Sequence, residues 1–143
     1  MSNLVYKGRW VYNWFSNMEL DPITIDGITY PSVENYYQGM KSGHPKILQI
    51  FSKLPPYQAK KEGKRLKLRD DWEQIKFDVM EKALRIKFAP GTSWYTKLKA
   101  TEGEIVEWNN WGDKIWGKTL NGEGENNLGK ILMKIRDEQI KKI

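Results

Sequence analysis

The 143-residue chain contains no cysteine and a single histidine. Disulfides and thiolate metal ligands are therefore excluded, and a reducing compartment is permitted. The lone imidazole, His44, stands between Gly43 and Pro45, where a loop is expected rather than a catalytic dyad. Hydrolase schemes built on a histidine base lose that base. No window approaches the ~18 apolar residues of a membrane span, and Met1–Arg9 shows no basic start followed by an apolar run. A cytoplasmic protein without a membrane partner is expected. Because the sequence holds no spaced set of cysteines or histidines, neither a metal nor a cofactor is expected.

Aromatic residues are plentiful, at 13% of the chain with seven Trp and seven Tyr, and 39% of residues are hydrophobic. That is enough apolar area to offset chain entropy without covalent staples, and the length fits one domain over residues 1–143. Lys and Arg outnumber Asp and Glu by 24 to 18, a formal charge of +6 that favours phosphate-bearing ligands. Lys60, Lys61, Lys64, Arg65, Lys67 and Arg69 place six of these charges within ten residues. A solvated helix face explains such a run, and a phosphate or nucleic-acid contact is its functional alternative.

Leu4 to Phe15 is rich in Tyr, Trp and Val, and residues 23–30 alternate around Asp26-Gly27, a hairpin turn signal. Two or three short strands follow from this. Ser32 is placed to cap a helix from Val33 to about Lys41, broken by Gly43-His44-Pro45. A short apolar helix then runs to before Pro55-Pro56, and another covers Pro56 to Lys64. Trp72, Ile75, Val79, Met80, Ala83 and Leu84 recur at spacings of three and four, which predicts one buried face on a helix from Asp71 or Trp72 to near Phe88. A short helix is expected from Trp94, and a last strand over Glu104–Glu107. Leu128, Ile131, Leu132, Ile135 and Ile140 mark the apolar side of a terminal helix.

Three places combine chemistry-bearing groups. Glu34, Gln38 and Lys41 stand at i, i+4 and i+7, so an acid, an amide and an amine share one helical face. Val33, Tyr37 and Met40 form the adjoining stripe, so the helix is expected to bury that side and present the polar side to a cleft. The structural alternative is an exposed face whose charges add only ~0.2–0.5 kcal/mol per pair. In the loop Asp113-Lys-Ile-Trp116-Gly117, a carboxylate precedes a flat indole and a glycine that admits close approach. Gly122 to Gly129 leads from a flexible loop into the last helix, where free amides would favour a phosphate; a plain turn with an asparagine cap is the alternative.

Taken in order, these pieces resemble the NADAR family over nearly the whole chain. The matching blocks are Phe15-Ser16-Asn17, Tyr30 to Gln38 with Lys41, Trp72 to Lys87-Phe88, Asp113 to Gly117, and Gly124 to Arg136. The resemblance implies a small helix-rich α+β fold with a few short strands. It also implies an enzyme that cleaves N-glycosidic bonds, in phosphoribosyl-type riboflavin intermediates or in ADP-ribose attached to guanine in nucleic acid. Carried over by position, Glu34, Asp113 and Lys41 become the catalytic groups. Phe15, Ser16, Asn17, Tyr37, Gln38, Lys87, Trp116, Gly117, Asn126 and Gly129 become substrate contacts. Asn35 stands where many members have histidine, so any role for that imidazole is absent. The implied partner is a ribose-phosphate small molecule, ADP-ribose or nucleotide-like, or ADP-ribosylated DNA. A module that binds ADP-ribose or nucleic acid without turnover stays open beside the enzyme reading.

Overall fold

The computed structural model describes residues 16–109 and 111–138, together with the backbone of residues 4–6 and 9–11. In chain order the elements are β1 (Leu4–Tyr6), β2 (Arg9–Val11), β3 (Ile23–Ile25), β4 (Ile28–Tyr30), α1 (Val33–Met40), α2 (Pro45–Phe51), α3 (Pro56–Gly63), α4 (Trp72–Lys87), α5 (Ser93–Lys99), β5 (Trp108–Asn109), β6 (Lys118–Thr119) and α6 (Asn127–Asp137). This is a helix-rich α+β fold with short strands. The chain divides into two compact units, one spanning Asn17–Lys87 and the other combining Met1–Ser16 with Phe88–Ile143.

In the central unit, β3 and β4 pair antiparallel, with Ile23 opposite Tyr30 and Ile25 opposite Ile28. Asp26 and Gly27 both take positive φ, 51° and 80°, the geometry of a two-residue hairpin turn that suits the strand twist. Ile23, Ile25 and Tyr30 face inward, while Thr24 and Thr29 join hydroxyls across the outer face. Ser32 then starts α1: its hydroxyl accepts the Asn35 amide at 3.3 Å and donates to Asn35 Oδ1 at 2.6 Å.

Helix α1 is the centre of this unit, packed by α2, α3 and α4. Every residue from Val33 to Gly39 is buried, including Glu34 and Gln38, so the expectation of one buried and one open face is corrected. Asn35 helps explain how a polar helix is enclosed. Its amide nitrogen donates to the carbonyls of Phe51 at 2.8 Å and Leu54 at 2.7 Å, binding the α2–α3 connection to α1. In α4, Trp72, Val79, Met80, Ala83 and Leu84 are buried as their spacing predicts, whereas Ile75 is half-buried. His44 is exposed and caps α2, its Nδ1 accepting the Lys46 amide at 3.2 Å.

In the other unit, β1 and β2 pair antiparallel, α5 packs on α6, and β5 runs parallel to β6. The strand expected at Glu104–Glu107 is replaced by Trp108–Asn109. The reason is Asn126, whose side chain satisfies the preceding backbone: Nδ2 donates to Ile105 O at 2.9 Å and Oδ1 accepts Glu107 N at 3.0 Å. Backbone groups met by a side chain need no strand partner. In α6, Leu128, Ile131, Leu132 and Ile135 are buried, and Ile140 lies outside the described residues.

Candidate active site

The polar stripe of α1 is held from three sides. Asn17 O accepts the Glu34 amide at 2.9 Å, which ties the segment before β3 to the first turn of the helix. One turn on, Gln38 Nε2 donates to Glu34 Oε1 at 2.8 Å, with Glu34 8% and Gln38 6% exposed. A carboxylate so enclosed is costly unless donors meet it, and the amide is one such donor. The far side of that amide lies against Gly63, where an added Cβ would overlap Gln38 Oε1. Among the described residues, Gln38 Oε1 and Asn17 Oδ1 are buried acceptors without a donor, while Asn17 Nδ2 reaches Met80 Sδ at 3.4 Å.

Lys41 caps the same helix and is half-buried. Its pKa is lowered, first by burial; the Glu34 charge works in the opposite direction and the Lys64 charge adds to the lowering. The amine stands 5.9 Å from the centre of the Tyr37 ring, which in turn packs on Trp72 at 5.2 Å. Glu34, Tyr37, Gln38, Lys41 and Asn17 are therefore brought together by one helix and the strand approach to it. A carboxylate and an amine of reduced basicity about two turns apart on one helix, with unmet acceptors beside them, can exchange protons with a bound polyol.

Lys87, at the end of α4 in the same unit, is only 2% exposed. Burial lowers its pKa to about 8, against the opposing charges of Asp21 and Glu19.

The remaining implied site residues belong to the other unit. Ser16 is half-buried, and Phe15 lies outside the described residues. Asp113 Oδ1 accepts the amides of Ile115 and Trp116, both at 2.9 Å, so one carboxylate oxygen shapes its own loop. Asn109 clamps that loop through Asp113 N and O. Trp116 is half-buried. A Cβ on Gly117 would overlap the Glu107 carbonyl, and one on Gly129 would overlap that of Ile105. Both glycines, like Asn126, allow strands of backbone to lie against each other. The phosphate reading of the loop before α6 is corrected too, because the amides of Glu125, Asn126, Asn127 and Leu128 donate to the carbonyls of Lys114, Gly117, Ile115 and Trp116. That helix start is already occupied by its own chain. Sequence reasoning missed Gly63, although a glycine inside a helical run of Lys and Glu, where it costs about 1 kcal/mol against alanine, is a signal worth following.

The acid–amide–amine stripe thus lies on a buried helix within a small helix-rich α+β chain. A family model described as "NADAR domain" matches residues 5–139. N-glycosidase YbiA of Escherichia coli is 36% identical over 130 residues, covering 89% of this chain and 81% of that protein. An N-glycosidase of Nostoc punctiforme is 33% identical over 144 residues, covering 96% and 92%. The chloroplastic riboflavin biosynthesis protein PYRR of Zea mays is 30% identical over 151 residues, 93% of this chain but 24% of that protein. The NMR structure of Escherichia coli YbiA is similar with a TM-score of 0.77 at 36% identity, covering 86% of this chain and 75% of that one. The chain belongs to the NADAR family, and it is an enzyme of the N-glycosidase type.

Proposed function

We propose that the Glu34–Gln38–Lys41 stripe cleaves the C–N bond between a phosphorylated ribose and its base. The observation that carries this reading is the buried Glu34 carboxylate, hydrogen-bonded by Gln38 at 2.8 Å and acting by its charge on the Lys41 amine about two turns further along the same helix. Breaking a ribosyl C–N bond builds positive charge on the sugar and negative charge on the departing base. A fixed carboxylate stabilises the first, and a proton must reach the second. Gln38 is a positioning residue, since its amide fixes the carboxylate without needing to touch the sugar. The unmet acceptor Asn17 Oδ1 suits a hydroxyl of a ribose.

Two routes use these groups. In one, Glu34 takes a proton from water as the water oxygen bonds to C1′ and the C1′–N bond breaks, and the departing base takes its proton from the second acid–base group. In the other, the Lys41 amine bonds to C1′ as the base leaves, the ring opens to an imine, and water releases the sugar and restores the amine. Asp113 holds the second acid–base role on the family resemblance, with Oδ2 as the oxygen not engaged by its loop. The favoured substrate is a phosphoribosyl intermediate of the kind made in riboflavin biosynthesis, a reading supported by the maize relative's name. ADP-ribose on guanine in nucleic acid is the second reading, favoured by the exposed cations of the Lys60–Arg69 run. The cytoplasm is the proposed location.

Glu34→Gln tests the centre, because it keeps shape and removes charge. Base release, followed by chromatography, should fall by about 10²–10⁴-fold with an unchanged circular dichroism spectrum. A variant that retains near-normal turnover removes Glu34 from the chemistry.

A further inference from the structure

The basic run that stands out in the sequence is fastened to the polar stripe of α1 at both ends. At one end Gly63 lies against the Gln38 side chain so closely that a Cβ would overlap the amide. At the other, the Arg69 amide donates to Lys41 O at 2.7 Å, and a Cβ on Gly43 would come within 2.6 Å of the Arg69 guanidinium. The loop between these pins therefore passes beside the stripe, with Lys64, Arg65 and Lys67 exposed along it.

These cations are not equally available. Arg69 grips Asp71 through two contacts, at 2.6 and 3.3 Å, and Arg65 reaches Glu62 at 3.9 Å. Lys64 and Lys67 have no ion pair among the described residues. Lys64 is also close enough to Lys41 for its charge to act on that amine. Gly63 against Gln38 and the Arg69 amide on Lys41 O hold the loop that carries Lys64 and Lys67 beside the stripe, and ammonium groups gathered in this way attract an anion. Ammonium groups on flexible stems suit a phosphate as point charges and make no demand for bidentate geometry.

We infer that Lys64 and Lys67 form the phosphate subsite of this centre, with Lys64 taking the phosphate ester nearest Lys41. The inference rests on reading the α1 stripe as the ribose site, and it assigns the phosphate to the α3–α4 loop rather than to the glycine loop before α6.

Calorimetric titration with ribose 5-phosphate and with ribose tests it on the whole chain. The wild type should bind ribose 5-phosphate more tightly than ribose, and the preference should shrink as salt rises. Lys64→Gln with Lys67→Gln should weaken ribose 5-phosphate by about tenfold or more and leave ribose unchanged. Lys61→Gln, an exposed lysine of the same run outside the loop, should change neither. Loss of the same size in Lys61→Gln, no loss in the double variant, or a wild type indifferent to the phosphate would overturn the subsite. A short single-stranded oligonucleotide, titrated in parallel, distinguishes the source: dependence on Lys64 there as well supports the subsite and makes a diester its ligand. Base release is measured separately. A wild type with lysine-dependent binding but no release keeps the subsite and removes the glycosidase reading of Glu34.

Discussion

Lys41 sits under opposing influences whose balance sets its chemistry. Burial and the Lys64 charge disfavour the ammonium, and the Glu34 carboxylate favours it. The net direction is downward, so the neutral amine is populated from a lower pH than for a free lysine, and a reaction that needs it gains rate as pH rises through the lowered pKa. Lys41→Arg separates charge from nucleophilicity, since arginine keeps the cation but stays protonated and cannot form an imine. We expect turnover to fall by about 10²-fold or more with ribose 5-phosphate affinity retained, and borohydride to trap a ribosyl adduct on the wild-type amine only. Substantial rate in the Arg variant without a trapped adduct would leave Glu34 and Asp113 to activate water. Asn35 shows the opposite kind of residue. Its amide protons go to Phe51 and Leu54 and its oxygen to Ser32, so in this chain the position holds helices together.

At the scale of elements, the contact between α3 and α1 runs through one glycine. Gly63→Ala would overlap the Gln38 amide, which can turn away, and press on the Gln38 Cβ at 3.1 Å, which must give slightly, while alanine is the better helix former by about 1 kcal/mol. Stability should therefore change little while the Gln38–Glu34 hydrogen bond is lost. The melting temperature is expected to stay within about 5 °C and turnover to fall about tenfold. Gln38→Ala should cost a similar factor, and the two together should cost no more than one of them, because both remove the same restraint. Additive losses would show that Gly63 acts elsewhere. Gly129→Ala is the contrast: its Cβ would meet the Ile105 carbonyl, a backbone atom that cannot swing away, so that variant should melt well below the wild type. The α1 stripe, the Asp26-Gly27 hairpin and the buried face of α4 were legible in the sequence because each is a local pattern of period or turn. What Gly63 touches, why Val33–Gly39 is buried on every side, and why Asn126 displaces the strand expected at Glu104–Glu107 depend on residues far along the chain. No window of local spacing carries them.

The stability of the whole molecule carries a signature of its buried amine. Lys87 is 2% exposed, and burial lowers its pKa to about 8 despite the attraction of Asp21 and Glu19. Its unfolded value is near that of free lysine, so between about pH 8 and pH 10 the unfolded chain binds more protons than the folded one. Stability contributed by this group therefore rises with pH across that window and is smallest at and below neutrality. The full span corresponds to about 3 kcal/mol as an upper figure. Tyr30 works the other way above it: burial lifts its pKa to about 12, so from about pH 10 upward the unfolded chain loses a proton that the folded chain keeps, and stability falls. Urea titrations of the wild type from pH 7 to pH 10, set against Lys87→Met, isolate the first effect. The variant should be the more stable of the two at pH 7, and the gap should narrow as pH approaches 10. A pH-independent gap would mean that the Lys87 amine stays protonated in the folded chain throughout. The carboxylates Asp21 and Glu19 would then outweigh the burial, and the penalty assigned to this lysine would vanish.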